Sequence, residues 1–166
     1  MAKWIMGEGL NGYIAYLQKL NLVSDKIIGK AVYEMAKVVA DRVRENIESL
    51  PAQPKGQITF REGNRVYSRL SQEEKEGLLE GFGISPMEKE NGYINVKLGF
   101  DGYNEVKTKK YPQGQPNVLI ARVTESGSTY RKKTPFVRPA VNATKQKAIE
   151  AGRVTIDETI QSISSE

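Results

Sequence analysis

The sequence predicts an α+β fold in which a long N-terminal helix and a C-terminal helix pack on a small, mainly antiparallel sheet. Three observations predict it. Apolar residues recur at helical spacing over 25–49 and again after two closely spaced prolines, and apolar and polar residues alternate over 93–100. At 166 residues, we expect a single domain over 1–166 with mobile ends at 1–7 and 164–166.

The N-terminal third is predicted to hold two helices. Residues 8–20 place apolar side chains three or four positions apart, which predicts a short amphipathic helix. Ser24 can cap a second, longer helix that begins at Asp25 and ends before Pro51. The apolar stripe of this longer helix is predicted to form the core, and it consists of Ile28, Val32, Met35, Val39, Val43, Ile47 and Leu50.

The middle of the chain is predicted to hold a hairpin, a short helix and a strand. Gly63-Asn64 is a turn signal between two short apolar segments. Ser71 and Glu74 match a capping box, in which each residue satisfies a backbone N–H of the other. The predicted elements are a hairpin over 58–67, a helix from 71 to about 80 and a strand over 93–100.

The last third is predicted to be helical. Asn117 can cap a helix over 118–126, with a strand over 118–120 as the alternative. Pro139 suits the first position of the final helix, because a proline N–H would have no partner there, and we predict that this helix begins at Pro139. Gly152 lies on its apolar side at a cost of about 1 kcal/mol, which predicts the close approach of another backbone.

Composition excludes several function classes. The chain contains no histidine and no cysteine, which excludes Ser-His-Asp triads, Cys-His pairs and the usual zinc sites. It has no phosphate-loop motif, and no apolar run approaches the roughly 20 residues that span a bilayer. We therefore expect a soluble protein made inside a cell, with no enzymatic activity, no cofactor, no metal and no membrane partner.

The charges suggest where partners would bind. The chain has 25 Lys+Arg and 20 Asp+Glu, a net charge of +5. The two densest positive segments are Lys107, Lys109 and Lys110, and Arg131, Lys132 and Lys133. These segments could contact duplex DNA or an acidic surface of a neighbour. Alternatively they are solvated loops, and this interpretation is favoured. The acidic residues of the helix over 71–80 are predicted to form a solvated face or to pair with the basic loops.

A short apolar segment precedes the final helix. Phe136 and Val137 are either an interface anchor or a buried core pair, and the core pair is favoured. Arg138 either pairs with a carboxylate of a partner or caps a helix end within the chain. The residues alone leave both alternatives for Arg138 open. Trp4 and Met6 lie in the N-terminal segment, where we expect disorder unless a neighbour buries them.

The order of these segments resembles the head–tail joining, or tail-completion, proteins of long-tailed bacteriophages and prophages. The segments that carry the resemblance are the leader Gly9-Leu10 to Leu20, Ala36-Lys37-Val38-Val39-Ala40 and Arg42-Val43-Arg44, the helix Leu70 to Glu80, Val96-Lys97-Leu98-Gly99-Phe100, Glu125-Ser126-Gly127 and Pro135-Phe136-Val137-Arg138-Pro139-Ala140. Such proteins often carry aromatic residues ahead of Glu125, where this chain reads Leu119-Ile120-Ala121-Arg122-Val123. This departure leaves the detail of the contact surface open.

The resemblance implies a non-enzymatic structural protein of the virion, made in the bacterial host cytoplasm and acting at the head–tail interface. Its implied partners are neighbouring head-connector and tail proteins and further copies of itself in a ring, with non-specific contact to packaged DNA as an additional role for the basic loops. The candidate interaction residues are Lys107, Lys109, Lys110, Arg131, Lys132, Lys133, Phe136 and Arg138. The alternative hypothesis is a basic protein that binds nucleic acid non-specifically.

Overall fold

Four helices and six short strands make up the described part of the chain. The structure, a computed structural model, describes residues 8–54 and 58–164, with the backbone alone for residues 8–11 and 13. In chain order the elements are α1 (Glu8–Glu48), β1 (Thr59–Glu62), β2 (Arg65–Ser68), α2 (Gln72–Gly81), β3 (Phe82–Ile84), β4 (Glu88–Glu90), β5 (Tyr93–Asn95), β6 (Leu98–Phe100), α3 (Asn117–Ser126) and α4 (Val137–Ser164). The predicted α+β fold, with long terminal helices and small antiparallel sheets, is confirmed.

Helix α1 is continuous over 41 residues, so the prediction of two helices separated near Ser24 is wrong. The Ser24 hydroxyl donates to the carbonyl of Asn21 at 3.0 Å. A serine inside a helix commonly makes such a bond to the preceding turn, whereas a capping serine accepts from an N–H further along the chain. At 1.5 Å per residue, α1 is about 60 Å long and is the longest element of the fold.

The main hydrophobic core lies at the C-terminal half of α1, where α2, α3, β3 and the start of α4 meet. The predicted apolar stripe is confirmed there, because Val43, Ile47 and Leu50 are buried in the core and Val39 packs against it. Towards the N-terminus the predicted burial of the stripe is wrong, since Ile28 is 44% exposed. The buried residues contributed by the rest of the chain are Leu70, Leu78, Phe82, Ile120, Ala121, Phe136 and Ala140.

Helix α4 runs antiparallel to α1 and lies along most of the length of α1. At one end the side-chain amide of Asn46 donates to the carbonyl of Phe136 at 2.8 Å. At the other end the Ser164 hydroxyl donates to the Tyr16 hydroxyl at 2.9 Å. Helix α1 is therefore covered by α4 on one side and, over its C-terminal half, by the core on another.

Helices α1 and α4 pack closely at Gly152. A Cβ built on Gly152 would lie 2.6 Å from Sδ of Met35 and 3.7 Å from the carbonyl oxygen of Ala31. The predicted crowding at Gly152 is present, but the nearest atoms belong to the Met35 side chain, and the nearest backbone atom of α1, the Ala31 carbonyl oxygen, is at an ordinary contact distance. A glycine at this position leaves room for the thioether between the two helices.

The strands form three separate two-stranded antiparallel sheets, β1–β2, β3–β6 and β4–β5. The single strand predicted over 93–100 is wrong, because β5 and β6 belong to different sheets. Asn91 and Gly92 have φ values of 50° and 82°. Two successive residues with positive φ are typical of the type I′ turn, for which Asn-Gly is a preferred sequence. They place Glu90 opposite Tyr93.

The predicted capping box and the helix after Asn117 are also present. The Glu74 N–H donates to the Ser71 hydroxyl at 3.1 Å, and the Ser71 N–H donates to the Glu74 carboxylate at 2.9 Å. The strand alternative over 118–120 is wrong, because these residues lie in α3. Asn117 is the first residue of α3 and not its cap, and its side-chain amide donates instead to the Asp101 carbonyl at 2.8 Å.

The predictions for the chain ends fall largely outside the described residues. Residues 1–7, which include Trp4 and Met6, and residues 165–166 are not described. The predicted mobility of both ends stays a prediction.

Candidate interaction surface

The β1–β2 hairpin leaves one backbone edge without a neighbouring strand. Glu62 lies opposite Arg65 at the two-residue turn. In an antiparallel pair, residues that exchange both backbone hydrogen bonds alternate with residues that exchange none. The pair next to the two-residue turn exchanges both bonds, so the next pair, Arg61 and Val66, exchanges none. Arg61 therefore directs its N–H and C=O away from β2. On the other edge the Ser68 N–H donates to the Tyr130 carbonyl at 2.6 Å. No strand among the described residues pairs with the outer edge of β1.

A stacked pair of aromatic rings covers one face of the hairpin. Phe60 and Tyr67 are cross-strand partners, and their centroids lie 5.5 Å apart with 27° between the rings. The Arg69 guanidinium lies 4.7 Å from the Phe60 centroid, and the Lys132 ammonium lies 5.8 Å and 5.4 Å from the centroids of Phe60 and Tyr67. Lys132 also forms an ion pair with Glu62. Lys132 therefore ties the hairpin to the loop that follows α3.

The Phe60–Tyr67 pair is a feature that sequence analysis missed. Both residues lie three positions from the nearer residue of the Gly63-Asn64 turn, Phe60 before Gly63 and Tyr67 after Asn64. A two-residue turn fixes the register of the strands that it joins, so this spacing places the two rings opposite each other. The turn signal and the strand register together would predict this pair.

Arg131 was predicted to be a surface interaction residue, and this prediction is wrong. The residue is only 8% exposed, and its Nη2 lies 2.9 Å and 2.8 Å from the two carboxylate oxygens of Glu74, which is 5% exposed. The same nitrogen lies 3.4 Å from the carbonyl oxygen of Arg69. The predicted pairing of the acidic helix with a basic loop is thus confirmed at Glu74. A charge paired in this way inside the protein is not available to a partner.

Two cavities flank the buried ion pair, of about 480 Å³ and 450 Å³. Lys107 lines the larger one together with Arg131, so the structure brings one residue of each predicted basic segment to the same cavity. Glu73 and Glu105 line it as well, which leaves the cavity with mixed charge. The larger cavity is lined by neither Lys109 nor Lys110, and both are exposed.

Glu125 holds the start of α4. Its carboxylate accepts the N–H groups of Phe136, Val137 and Arg138 at 2.7, 2.8 and 3.0 Å. The helix therefore begins at Val137, two residues before the predicted start at Pro139. The bonds from Glu125 overcome the steric restriction that a proline places on the residue before it. The missing N–H of Pro139 still falls in the first turn, where N–H groups have no partner within the helix.

The charge of Glu125 is stabilised by this arrangement. Burial by itself raises the pKa of the Glu125 carboxyl, but the three backbone N–H groups and the positive charge of Arg138 bring the pKa below its ordinary value. A carboxylate at the N-terminus of α4 also interacts favourably with the helix dipole. The backbone N–H of Arg138 is one of the groups that Glu125 caps, and its side chain is exposed. Both alternatives for the Arg138 side chain stay predictions.

Phe136 belongs to the core. It is 1% exposed and packs edge-to-face on Phe100 with 5.9 Å between the ring centroids. The favoured alternative of a core position is therefore confirmed for Phe136, and its choice as a candidate interaction residue is wrong. Val137 is partly buried against the same core.

Exposed and partly buried side chains of the hairpin and of the loop beside it form the candidate site, which we call the hairpin surface. Arg65, Val66, Tyr67 and Tyr130 border an open groove of about 680 Å³, lined also by Thr59, Ser68 and Thr129. The hairpin surface consists of this groove together with Arg61, Lys132 and Lys133. Of the candidate residues predicted from the sequence, it retains only Lys132 and Lys133.

The described residues contain no group of three or more acidic side chains placed to hold a metal ion. Within the same part of the chain, no helix combines the length and apolar character needed to cross a membrane. No protein-family model, no curated protein and no solved structure matches this chain. The resemblance to head–tail joining proteins therefore stays a prediction that depends on the sequence segments quoted above.

Proposed function

We propose that this protein is a non-enzymatic structural subunit of a bacteriophage or prophage particle, and that it helps to join the DNA-filled head to the tail. It acts at the head–tail interface through contacts with further copies of itself in a ring and with neighbouring connector and tail proteins. The order of the sequence segments supports the family, and the surface of the fold supports the mode of action.

The observation that carries the proposal is the apolar surface exposed along the N-terminal half of α1. The small sheets reach α1 near Asp25, which forms an ion pair with Lys89. Ahead of Asp25, α4 lies along α1, yet Ile14 and Leu17 are exposed and Leu22 is 85% exposed. Apolar side chains on a rigid, extended helix are typical of a surface that a neighbouring protein covers. A subunit of a ring or connector has such a surface.

The test is a deletion in the genome that encodes the chain. Removing the gene should leave DNA-filled heads and separate tails in electron micrographs of the particles, and expression of the gene from a plasmid should restore joined particles. Normal numbers of tailed particles without the gene would rule out the proposed function.

Non-specific nucleic-acid binding is a second candidate, favoured by the exposed cations of the hairpin surface and of Lys109 and Lys110. Binding through phosphate neutralisation weakens steeply with salt. Duplex DNA should then bind the purified chain at low salt, and replacing Lys109 and Lys110 with serine should reduce the salt dependence. Absence of binding at low salt would eliminate this candidate.

A further inference from the structure

We infer that the hairpin surface of one copy of this chain binds the β4–β5 hairpin of a second copy, in a head-to-tail contact. This inference rests on the proposed function, because it identifies the contact through which subunits of a ring would join. Its partner is a second copy of this chain.

The two hairpins lie at different places along α1. Lys89 of β4 forms an ion pair with Asp25, and Met87 lies against Gly29. The β1–β2 hairpin lies beside the far end of α1, where Leu50 and Phe60 line the same cavity. The 23 positions from Asp25 to Glu48, the last residue of α1, correspond to about 35 Å along the helix. A contact between these hairpins therefore joins two copies, and two different surfaces in contact can repeat into a ring.

The β1–β2 hairpin presents positive charge. Arg61 and Arg65 are exposed on it. The negative charge of Glu62 lies against Lys132 in an ion pair. Lys133 is exposed in the adjoining loop. These residues leave an excess of positive charge on the hairpin and the loop beside it.

The β4–β5 hairpin presents one negative charge that no described residue pairs, that of Glu90. All three residues of β4 are exposed, and two of them are Glu88 and Glu90. The positive charge of Lys89 is paired with Asp25 of α1. Glu88 lies 2.8 Å from Lys97, whereas no ion pair is present at Glu90 among the described residues. Facing charges of opposite sign guide association and select the partner surface.

The shapes of the two hairpins favour the same contact as their charges. Tyr93 is 77% exposed and lies directly opposite Glu90, so that the ring and the carboxylate project from neighbouring positions of one turn. The groove on the hairpin surface is lined by Val66 and Tyr130, which are themselves exposed, and by Arg65. Exposed tyrosines that enter grooves are common anchors of protein interfaces. With Tyr93 in this groove, Glu90 would lie beside Arg65.

A symmetric contact between two hairpin surfaces fits less well. It would bring Arg61 and Arg65 of one copy against the same residues of the other, and facing like charges oppose association. Charge therefore favours the head-to-tail contact.

Disulfide trapping tests the contact, because the chain has no cysteine of its own. Arg65→Cys and Tyr93→Cys are made as separate full-length variants, mixed at high concentration and oxidised. The mixed dimer should form faster than the dimer of either variant with itself. Asp157→Cys, at an exposed position of α4, replaces Tyr93→Cys as the control. Equal trapping of Arg65→Cys with both partners would overturn the inference.

Charge reversal provides a second readout, by sedimentation of the full chain. Arg61→Glu with Arg65→Glu should weaken self-association at least about tenfold, as should Glu88→Lys with Glu90→Lys, and mixing the two variants should restore it. Unchanged association of either variant, loss of DNA binding without loss of association, or a wild-type chain that never associates would contradict the inference. The deletion experiment answers separately whether the protein joins heads to tails, so each proposal can fail alone.

Discussion

Replacing Arg131 with methionine should strongly destabilise the protein. The substitution keeps an unbranched side chain in the buried position but leaves the Glu74 carboxylate without its cation. Glu74 would keep only the Ser71 N–H, at 2.9 Å, as a charge-stabilising donor. Removing one partner of a buried ion pair typically costs about 3–5 kcal/mol. The bonds from Arg131 to Thr124 and to the Arg69 carbonyl are 3.5 and 3.4 Å long and add little.

Urea unfolding followed by the helical circular dichroism signal measures this loss. With a denaturant slope of about 2 kcal/mol/M, a loss of about 4 kcal/mol lowers the urea midpoint by about 2 M. Lys133→Met is the matched control, because Lys133 is the exposed neighbour two residues away, and its stability should change by less than about 0.5 kcal/mol. Adding Glu74→Gln to Arg131→Met should recover part of the loss, since it removes the stranded charge. If Arg131→Met unfolds at the same urea concentration as Lys133→Met, the interpretation of this ion pair is wrong.

Three further predictions concern other parts of the fold. The pKa of Glu125 is lowered in the folded chain, so its carboxylate stabilises the fold above its ordinary pKa of 4.5 and loses this effect as the pH falls through the lower folded value. Thermal melts should therefore show wild type more stable than Glu125→Gln by about 1 kcal/mol at neutral pH, with the difference shrinking below pH 4.5, and a constant difference would refute the helix-start assignment. Gly152→Val should lower the free energy of unfolding by about 1–3 kcal/mol, because the new side chain would meet Met35. Gly12→Ala, in open space on α1, is the control and should be neutral or stabilising by up to about 1 kcal/mol. Equal effects of the two substitutions in urea unfolding would contradict the close packing of α1 and α4. Lys132→Ala should speed amide hydrogen exchange in β1 and β2 while changing global stability by about 1 kcal/mol or less, and unchanged exchange would show that Lys132 does not hold the hairpin.

The predictions from the sequence held where a local signal agreed with the packing around it. The Ser71 and Glu74 capping box gave the start of α2, and the Gly63-Asn64 turn placed the first hairpin. Ser24 is a counterexample. Serine often caps a helix, but here the apolar helical pattern continues on both sides of Ser24, and the residue lies inside α1. The period-two pattern over 93–100 does not form one strand, because the turn at Asn91-Gly92 pairs residues 93–95 with residues 88–90.

The site was harder to predict because it depends on contacts between distant segments. Nothing near Arg131 in the sequence indicates that Glu74 lies against it, so a run of positive residues looked like an exposed surface. The start of α4 was predicted from Pro139 alone, whereas the position is set by Glu125 of another helix. Burial and pairing of charges follow from the assembled fold, which a single sequence describes only in part.

Electron cryo-microscopy of particles from the genome that encodes this chain tests the central claim most directly. The antiparallel pair of α1 and α4 should appear as repeated density around the particle axis, between the head portal and the first ring of the tail. Particles that are fully joined but contain no density for this chain at that position would contradict the claim.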